Sequence, residues 1–342
     1  MGILSSYAAG SRRVVSCWAV GLGALGLLSP GLSVAAPWVP EQTVEFVVGA
    51  GPGGALDQVG RAMKQFSDQQ GLSKKPFLIS NKPGANGKIA FDVLKQKPGD
   101  PHVLAINTHG YISSHLVGSL DSLPHRDFTT IAVLQDEFLT LSVRADSPIR
   151  DVADVVAALK KDPASLRLGV ATSIGNHIHV GTAKALKVAG VDIRKLIVAP
   201  FRSSSDSIVA LVGGHIELVA STTPNVIAMM QAGKIRVLAV SSEKRLGGVF
   251  AGIPTWRESG VDSVFSSSLG IVAPKGITAD QIAYWENLIR QMTHSEEWKN
   301  LMERNQSRSN FLGHADATRF YDQEYQSMRT TVMELGLLGA GK

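Results

Sequence analysis

Residues 49–58 read Gly49-Ala50-Gly51-Pro52-Gly53-Gly54-Ala55-Leu56-Asp57-Gln58. The run follows the apolar stretch Val44-Glu45-Phe46-Val47-Val48 and leads into a helical pattern from Leu56. Strand, glycine-rich loop, helix is the local form of an anion cradle, because the loop and the first helical turn present unpaired backbone N–H groups. Gly49, Gly51 and Gly54 satisfy the spacing G-x-G-x-x-G of a dinucleotide loop. That chemistry also needs an acid at the end of the second strand to hold a ribose hydroxyl. The second strand here ends at Ser80-Asn81-Lys82, without an acid. Pro52 removes one N–H from the cradle, and no Gly-Lys-Ser/Thr follows the loop. A lysine at 82 leaves room for a 2′-phosphate, so an exported NADP-dependent oxidoreductase stands as the alternative reading.

Outward from this loop, short β-branched runs alternate with helical patterns. The strand expectations are 44–48, 77–80, 103–107, 130–135, 138–144, 167–171, 196–199, 216–221, 236–241 and 268–273. The helix expectations are 55–69, 86–95, 151–161, 177–189, 204–213 and 224–232. The alternation predicts an α/β protein with largely parallel sheets. Asp151 stands at an N-cap position, and Gly190 and Gly233 stand where helices should stop. After about residue 276 three helices, 277–293, 296–304 and 315–337, are expected with no strand between them. Such a tail is expected to pack back onto the first lobe.

The N-terminus reads as a secretory leader. Arg12 and Arg13 precede an uncharged apolar run from Val14 to Leu28, Ser29-Pro30-Gly31 breaks it, and Ser33-Val34-Ala35-Ala36 offers cleavage after Ala35 or Ala36. Ser11-Arg12-Arg13-Val14-Val15 partly resembles a twin-arginine signal. Cys17 is the one cysteine of the chain. Cleavage would therefore leave no disulfide, cysteine nucleophile or thiolate metal site. It would also lower the formal net charge from +5 to +3 by removing two arginines and no acid. That excess is too thin for nucleic-acid binding and mildly favours an anionic ligand. No later stretch reaches ~18 apolar residues, the length a membrane span needs.

In open α/β sheets, ligands meet the loops that follow the carboxyl ends of strands. Those loops are rich in hydroxyls, amides and N–H groups at helix starts. They give Ala50, Gly51, Gly53, Gly54 and Ala55 after the first strand, and Asn107, Thr108 and His109 after the third. Thr172, Ser173, Gly175, Asn176 and His177 follow the run 167–171. Phe201, Ser203 and Ser204 follow the run 196–199. Asp57 and Asp206 fall in first turns, where interaction with the helix dipole and ligand orientation are both open readings. There is no G-x-S-x-G and no local Ser/His/acid set. His177 and His179, two apart on a helix, diverge, which disfavours a shared metal. His177 is expected to line the site and His179 to pack. No catalytic residue, metal or cofactor is expected.

Several segments together resemble the substrate-binding receptors of tripartite tricarboxylate transporters, also called Bug proteins. They are Gly53-Gly54-Ala55-Leu56-Asp57 with Arg61; Asn81-Lys82-Pro83-Gly84-Ala85-Asn86-Gly87; Asp127-Phe128-Thr129-Thr130-Ile131; and Gly175-Asn176-His177-Ile178-His179. The series continues with Pro200-Phe201-Arg202-Ser203 and Ala210-Leu211-Val212-Gly213-Gly214. Ala232-Gly233-Lys234-Ile235-Arg236-Val237-Leu238-Ala239-Val240 with Lys244-Arg245 follows. Ile253-Pro254-Thr255 with Glu258 and Gly260, and Ala273-Pro274-Lys275-Gly276, close it. The resemblance implies a type II periplasmic-binding-protein fold with a ligand cleft between two lobes. The first lobe would comprise 37–141 and 267–342, the second 142–266. It implies a periplasmic, monomeric receptor that captures a small organic carboxylate and hands it to integral-membrane transporter subunits. A ligand sensor for a membrane signalling partner is the other role this fold allows. Gly49-Ala50 stands where the family has Pro-Phe, and Ser203 where it has glycine. Ser267 or Ser268 stands where an aromatic is common. These departures predict a roomier or more polar pocket.

Overall fold

The computed structural model describes residues 38–52, 55–71 and 75–340. The expected leader with Cys17, and the candidate ligand residues Gly53 and Gly54, lie outside them. The first part of the chain forms β1 (Val44–Val48), α1 (Ala55–Gln70), β2 (Phe77–Asn81), α2 (Lys88–Lys95), β3 (Val103–Thr108), α3 (His109–Leu116) and α4 (Pro124–Asp127). A sixteen-residue strand, β4 (Thr129–Arg144), follows. Next come α5 (Val152–Lys161), β5 (Leu168–Ala171), α6 (His177–Val188), β6 (Val198–Phe201), α7 (Ser204–Val212), β7 (Leu218–Thr222), α8 (Thr223–Gln231) and β8 (Ile235–Val240). The chain then returns through β9 (Ser266–Ala273) and ends with α9 (Ala279–Thr293), α10 (Glu296–Asn305), β10 (Arg308–Leu312) and α11 (His314–Glu334).

The strands run in the order β2-β1-β3-β9-β4-β7-β5-β6, with β10 and β8 also paired to β4. Pairing is parallel within β2-β1-β3 and within β7-β5-β6. Every pairing that involves β4 or β9 is antiparallel. The sheet is therefore mixed, and the expectation of largely parallel sheets is corrected. The reason is connectivity. β9 enters between β3 and β4 after the whole middle of the chain has been laid down, so it runs against both neighbours.

β1 shows how its sequence divides the first core. Val44, Phe46 and Val48 face one side, with Val59 and Met63 of α1 and Trp285 and Met292 of α9. Val47 faces the other, with Phe91 and Leu94 of α2 and Tyr111 of α3. The period of two that makes VEFVV a strand fills two cores at once. Further along the chain Leu139, Leu141 and Val143 of β4 join the core of α5 and α6, while Val219, Val237 and Val240 join that of α7 and α8. Helix starts follow the capping chemistry. Asp151 accepts the N–H of Asp154 at 3.0 Å, and Thr278 and Gln281 form a reciprocal capping box at α9.

Two expectations about the C-terminal part change. A strand, β10, lies between α10 and α11 and pairs with β4 at Arg308↔Asp136 and Ser309↔Gln135. Its sequence Arg-Ser-Asn-Phe-Leu lacks a β-branched residue and is half polar, so it carries little strand signal. The tail also reaches past the first lobe. Trp285 and Trp298 do pack in the first-lobe core, but Tyr321, Met328 and Val332 of α11 share a cluster with Ile112 of α3 and Val180 of α6. Near the end of α11, Glu334 meets Lys187 of α6 at 2.5 Å. At 1.5 Å per residue, a helix of this length spans about 30 Å, enough to lie against both lobes.

β10 is held to β4 by charge. The Asp136 carboxylate is 1% exposed and accepts from Arg308 Nη2 at 2.6 Å, Asn310 Nδ2 at 3.0 Å and the Ser268 hydroxyl. Replacing Arg308 with alanine leaves a buried carboxylate short of its charged donor. The expected loss is about 1.5–3 kcal/mol, the range for a hydrogen bond to a charged group. Urea denaturation of wild type and Arg308→Ala checks it; a change below about 0.5 kcal/mol would mean that solvent replaces the guanidinium without cost.

Candidate functional site

β4 changes partners at one point. Residues 129–138 pair with β9, and residues from Leu139 onward pair with β7 and β8. Beside this junction lies a cavity of about 690 Å³, walled by both halves of the molecule. From the first lobe come Gly49, Ala50 and Gly51 of the glycine loop, Ala55 and Leu56 of α1, the turn Pro83–Gly87, and Thr108, Gly110, Tyr111 and Ser114. From the second come Ala171, Thr172, Asn176, His177 and Ile178, then Arg202, Ser203 and Ser204, then Thr222 and Asn225. Glu137, Ser267 and Leu269 line it from the strands of the junction.

Six helix starts meet this cavity. Ala55 opens α1, Gly87 caps α2, Thr108 caps α3, Asn176 caps α6, Ser203 caps α7 and Thr222 precedes α8. Four of those residues are hydroxyl or amide side chains, and three of them are already engaged in capping. Thr108 Oγ1 accepts from Gly110 N at 2.9 Å, Asn176 Oδ1 from His179 N at 2.8 Å and Ser203 Oγ from Asp206 N at 3.1 Å. Helix N-termini carry partial positive charge and unpaired N–H groups, so their convergence produces a field that favours an anion. Arg202 adds a full cation at the exposed rim. Among the described residues it enters no salt bridge.

The sequence-selected residues divide by placement. Ala50, Gly51, Ala55, Thr108, Thr172, Asn176, His177, Ser203 and Ser204 lie on the cavity wall. Asp57, Asn107, His109, Ser173, Gly175, Phe201 and Asp206 lie off it, and several of these are occupied elsewhere. The Asp57 carboxylate is 1% exposed and accepts from Arg61 Nε at 2.6 Å and from Asn81 Nδ2 at 3.0 Å. Asn81 Nδ2 also donates to the carbonyl of Ala50 at 3.0 Å. The residue at the end of the second strand thus ties the glycine loop to α1. His109 is wholly buried; its Nδ1 accepts the N–H of Ser268 at 2.7 Å, which places the ring proton on Nε2, 2.9 Å from Glu324. Gly175 N donates to His179 Nδ1 at 2.9 Å, so His179 is a packing residue of its own turn. Asp206 is exposed in the first turn of α7. Asn107 is buried in β3 without a side-chain partner among the described residues. No group of three metal-ligating side chains comes together among the described residues.

Among the wall residues that sequence reasoning does not select, Tyr111, Arg202 and Glu137 matter most. Tyr111 is buried, its ring 4.9 Å from that of Phe91 in an edge contact. It fills the space above two glycines: a Cβ at Gly49 would strike its hydroxyl, and a Cβ at Gly87 would strike its ring. An aromatic therefore does stand beside Gly49, contributed by α3. Arg202 lay within a quoted motif without being singled out. Glu137 is 6% exposed, and burial raises its carboxyl to about 7. The signal for it was Asp136-Glu137 interrupting two apolar runs, which read as a gap between strands. His177 is half-buried, but its Nδ1 is sequestered without a partner. Burial, with His109 beside it, lowers that ring to about 3, so His177 is a neutral polar group at pH 7.

This arrangement, two α/β lobes joined through shared strands with a cleft at the junction, defines a type II periplasmic-binding-protein fold. The chain belongs to the family described as tripartite tricarboxylate transporter family receptor, whose model matches residues 63–337. A Cupriavidus necator protein named for the gbd 5′ region is 25% identical over 322 residues, covering 94% of this chain and 96% of its own. The structure of R. palustris Rpa4515 with adipate superposes with a TM-score of 0.76 at 24% identity, covering 87% of this chain and 98% of that one. MatC from Rhodopseudomonas palustris, with bound malate, gives 0.72 at 20% identity, covering 86% and 99%.

Two outcomes are expected at the wall. Gly87 has φ +89°, so Gly87→Ala combines left-handed strain with a collision against Tyr111. It should cost more than about 1 kcal/mol in chemical denaturation. The second concerns pH. Glu137 holds its proton up to about 7 in the native state but only to 4.5 when unfolded. Between those values the native state binds more protons, so this group's contribution falls as pH rises. His177 and His179, held near 3 and 4, act with the opposite sign and cost stability as pH drops below 6.5. The difference between Glu137→Gln and wild type isolates the acid. It should move by up to about 3 kcal/mol in favour of the variant from pH 4.5 to 7.5. Parallel denaturation curves across that range would show that Glu137 ionises freely.

Proposed function

We propose that this protein is an extracytoplasmic, monomeric receptor that captures a small organic carboxylate between its lobes and delivers it to an integral-membrane transporter without chemical turnover. The observation that carries the reading is the convergence of six helix N-termini and Arg202 on one cavity. Such a site stabilises negative charge through backbone N–H groups already fixed by their helices. The family and the adipate and malate named for two structural relatives agree with it. In this reading 37–141 and 267–342 form one lobe and 142–266 the other. The partner change within β4 serves as hinge, and closure over the ligand is the signal a membrane partner reads. The leader read in residues 1–36 supports a periplasmic location. The ligand contacts are proposed among the cavity-lining candidates, Ala50, Gly51, Ala55, Thr108, Thr172, Asn176, His177, Ser203 and Ser204, with Arg202 added to them.

A thermal-shift screen of mono-, di- and tricarboxylates, adipate and malate among them, tests this. A ligand at 100-fold over its Kd adds about 2.7 kcal/mol to the native state, which is easily seen as a raised Tm. The affinity of any hit should fall by about 1.5–3 kcal/mol in Arg202→Ala, measured calorimetrically. If only uncharged compounds shift the transition, the anion reading is overturned.

A further inference from the structure

The cavity that is built for negative charge holds one carboxylate of its own. Glu137 lines it from β4, 6% exposed, at the point where the strand passes from one lobe to the other. No salt bridge among the described residues involves it. Its carboxylate accepts from Gln135 Nε2, 3.5 Å from Oε1, at the outer limit of a hydrogen bond. The register partner of Glu137 on β9, Ser267, also lines the cavity. The neighbouring acid, Asp136, points to the other side and is fully satisfied by Arg308, Asn310 and Ser268. Side chains alternate along a strand, so the sequence Asp136-Glu137 gives one acid to the fold and the other to the cleft.

A buried acid without a cation is unfavourable unless something meets it. The other polar groups on the wall are Arg202 at the rim, the neutral ring of His177, hydroxyl and amide side chains such as Ser114, Ser203, Ser267 and Asn225, and the helix N-termini. Those donors are spread around the loops and suit an anion. Glu137 stands on the strand between them and suits a donor. Resting on the carboxylate-receptor reading above, we propose that the ligand carries a nitrogen-borne hydrogen-bond donor, an ammonium or a carboxamide, in addition to its carboxylate. Glu137 receives that donor at the lobe junction while the loops hold the carboxylate. Because Glu137 belongs to the strand shared by both lobes, the ligand's donor end would fix its orientation before the loops close on the other end.

The test compares matched ligands that differ only in the donor: succinate with aspartate and asparagine, glutarate with glutamate and glutamine, and adipate with aminoadipate. Titration calorimetry on the wild-type chain at pH 8 should give at least tenfold tighter binding for a nitrogen-bearing member in one or more series. Glu137→Gln should erase an ammonium preference, and Glu137→Leu should erase an amide preference as well. Both should tighten the plain dicarboxylate, because the negative charge that opposes it at pH 8 is gone. Equal binding within every series overturns the proposal while leaving the carboxylate receptor standing. So does a nitrogen preference that survives Glu137→Leu. If no carboxylate of any series binds, the receptor reading falls and this one falls with it. Equal binding within every wild-type series overturns the proposal even if neither variant folds.

Discussion

A β-strand has two edges, so at any residue it can pair with two neighbours and no more. β4 uses that limit twice. Its first half is taken by β9 and β10 and its second by β7 and β8. Every residue of it but the last is buried. One uninterrupted backbone therefore belongs to both sheets, and the relative placement of the lobes follows from its course. Its two adjacent acids are met differently. Asp136 finds three donors within its own lobe. Glu137, one residue later and on the opposite face, opens into the cleft.

The cleft inherits its character from this junction. Parallel units on either side direct their strand ends, and hence the helix starts that follow, toward the line where the two lobes meet. Each loop then needs little beyond a capping side chain and room for the backbone. The room comes from glycines that accommodate a neighbour. Gly49 and Gly87 make space for Tyr111, and a Cβ at Gly110 would press on His177 from the opposite lobe. Small residues in the loops and large ones on the facing helices are two halves of one packing solution. The polar wall follows from helix starts that were required for other reasons.

Most of the fold could be read from local pattern because most of it is locally determined. Val44 to Val48, Val103 to Asn107 and Ile235 to Val240 are apolar enough to declare themselves strands, and Asp151, Gly190 and Gly233 mark helix ends through cap and φ requirements that act within a few residues. What escaped is non-local. β4 looked like two strands because Asp136 cannot announce its partner, which lies 172 residues on at Arg308, and Glu137 cannot announce the cavity it lines. β10 has no β-branched residue, and its pairing with β4 sustains it. The antiparallel insertion of β9 depends on chain return, which no periodicity encodes. At the site, loops were legible as anion-friendly while individual contacts were not. Asp57 and Asp206 carry the same signature, an acid in a first turn. One is buried under Arg61 and Asn81, and the other faces solvent.

Asn81 explains why the glycine loop can match a dinucleotide spacing without sharing its chemistry. In a dinucleotide site the residue ending the second strand is an acid directed at ligand. Here the same position holds an amide directed at protein, with one nitrogen donating to Ala50 and to Asp57. An aspartate at 81 would face the Asp57 carboxylate about 3 Å away without a proton to share, at a cost set by like-charge repulsion in a buried setting. The two positions are therefore coupled: an acid at 57 that starts α1 and pairs with Arg61 calls for a donor at 81. That donor then fixes the Ala50 carbonyl and with it one point of the loop. Spacing of glycines records how closely a backbone can approach something. The polar residue opposite the loop records what.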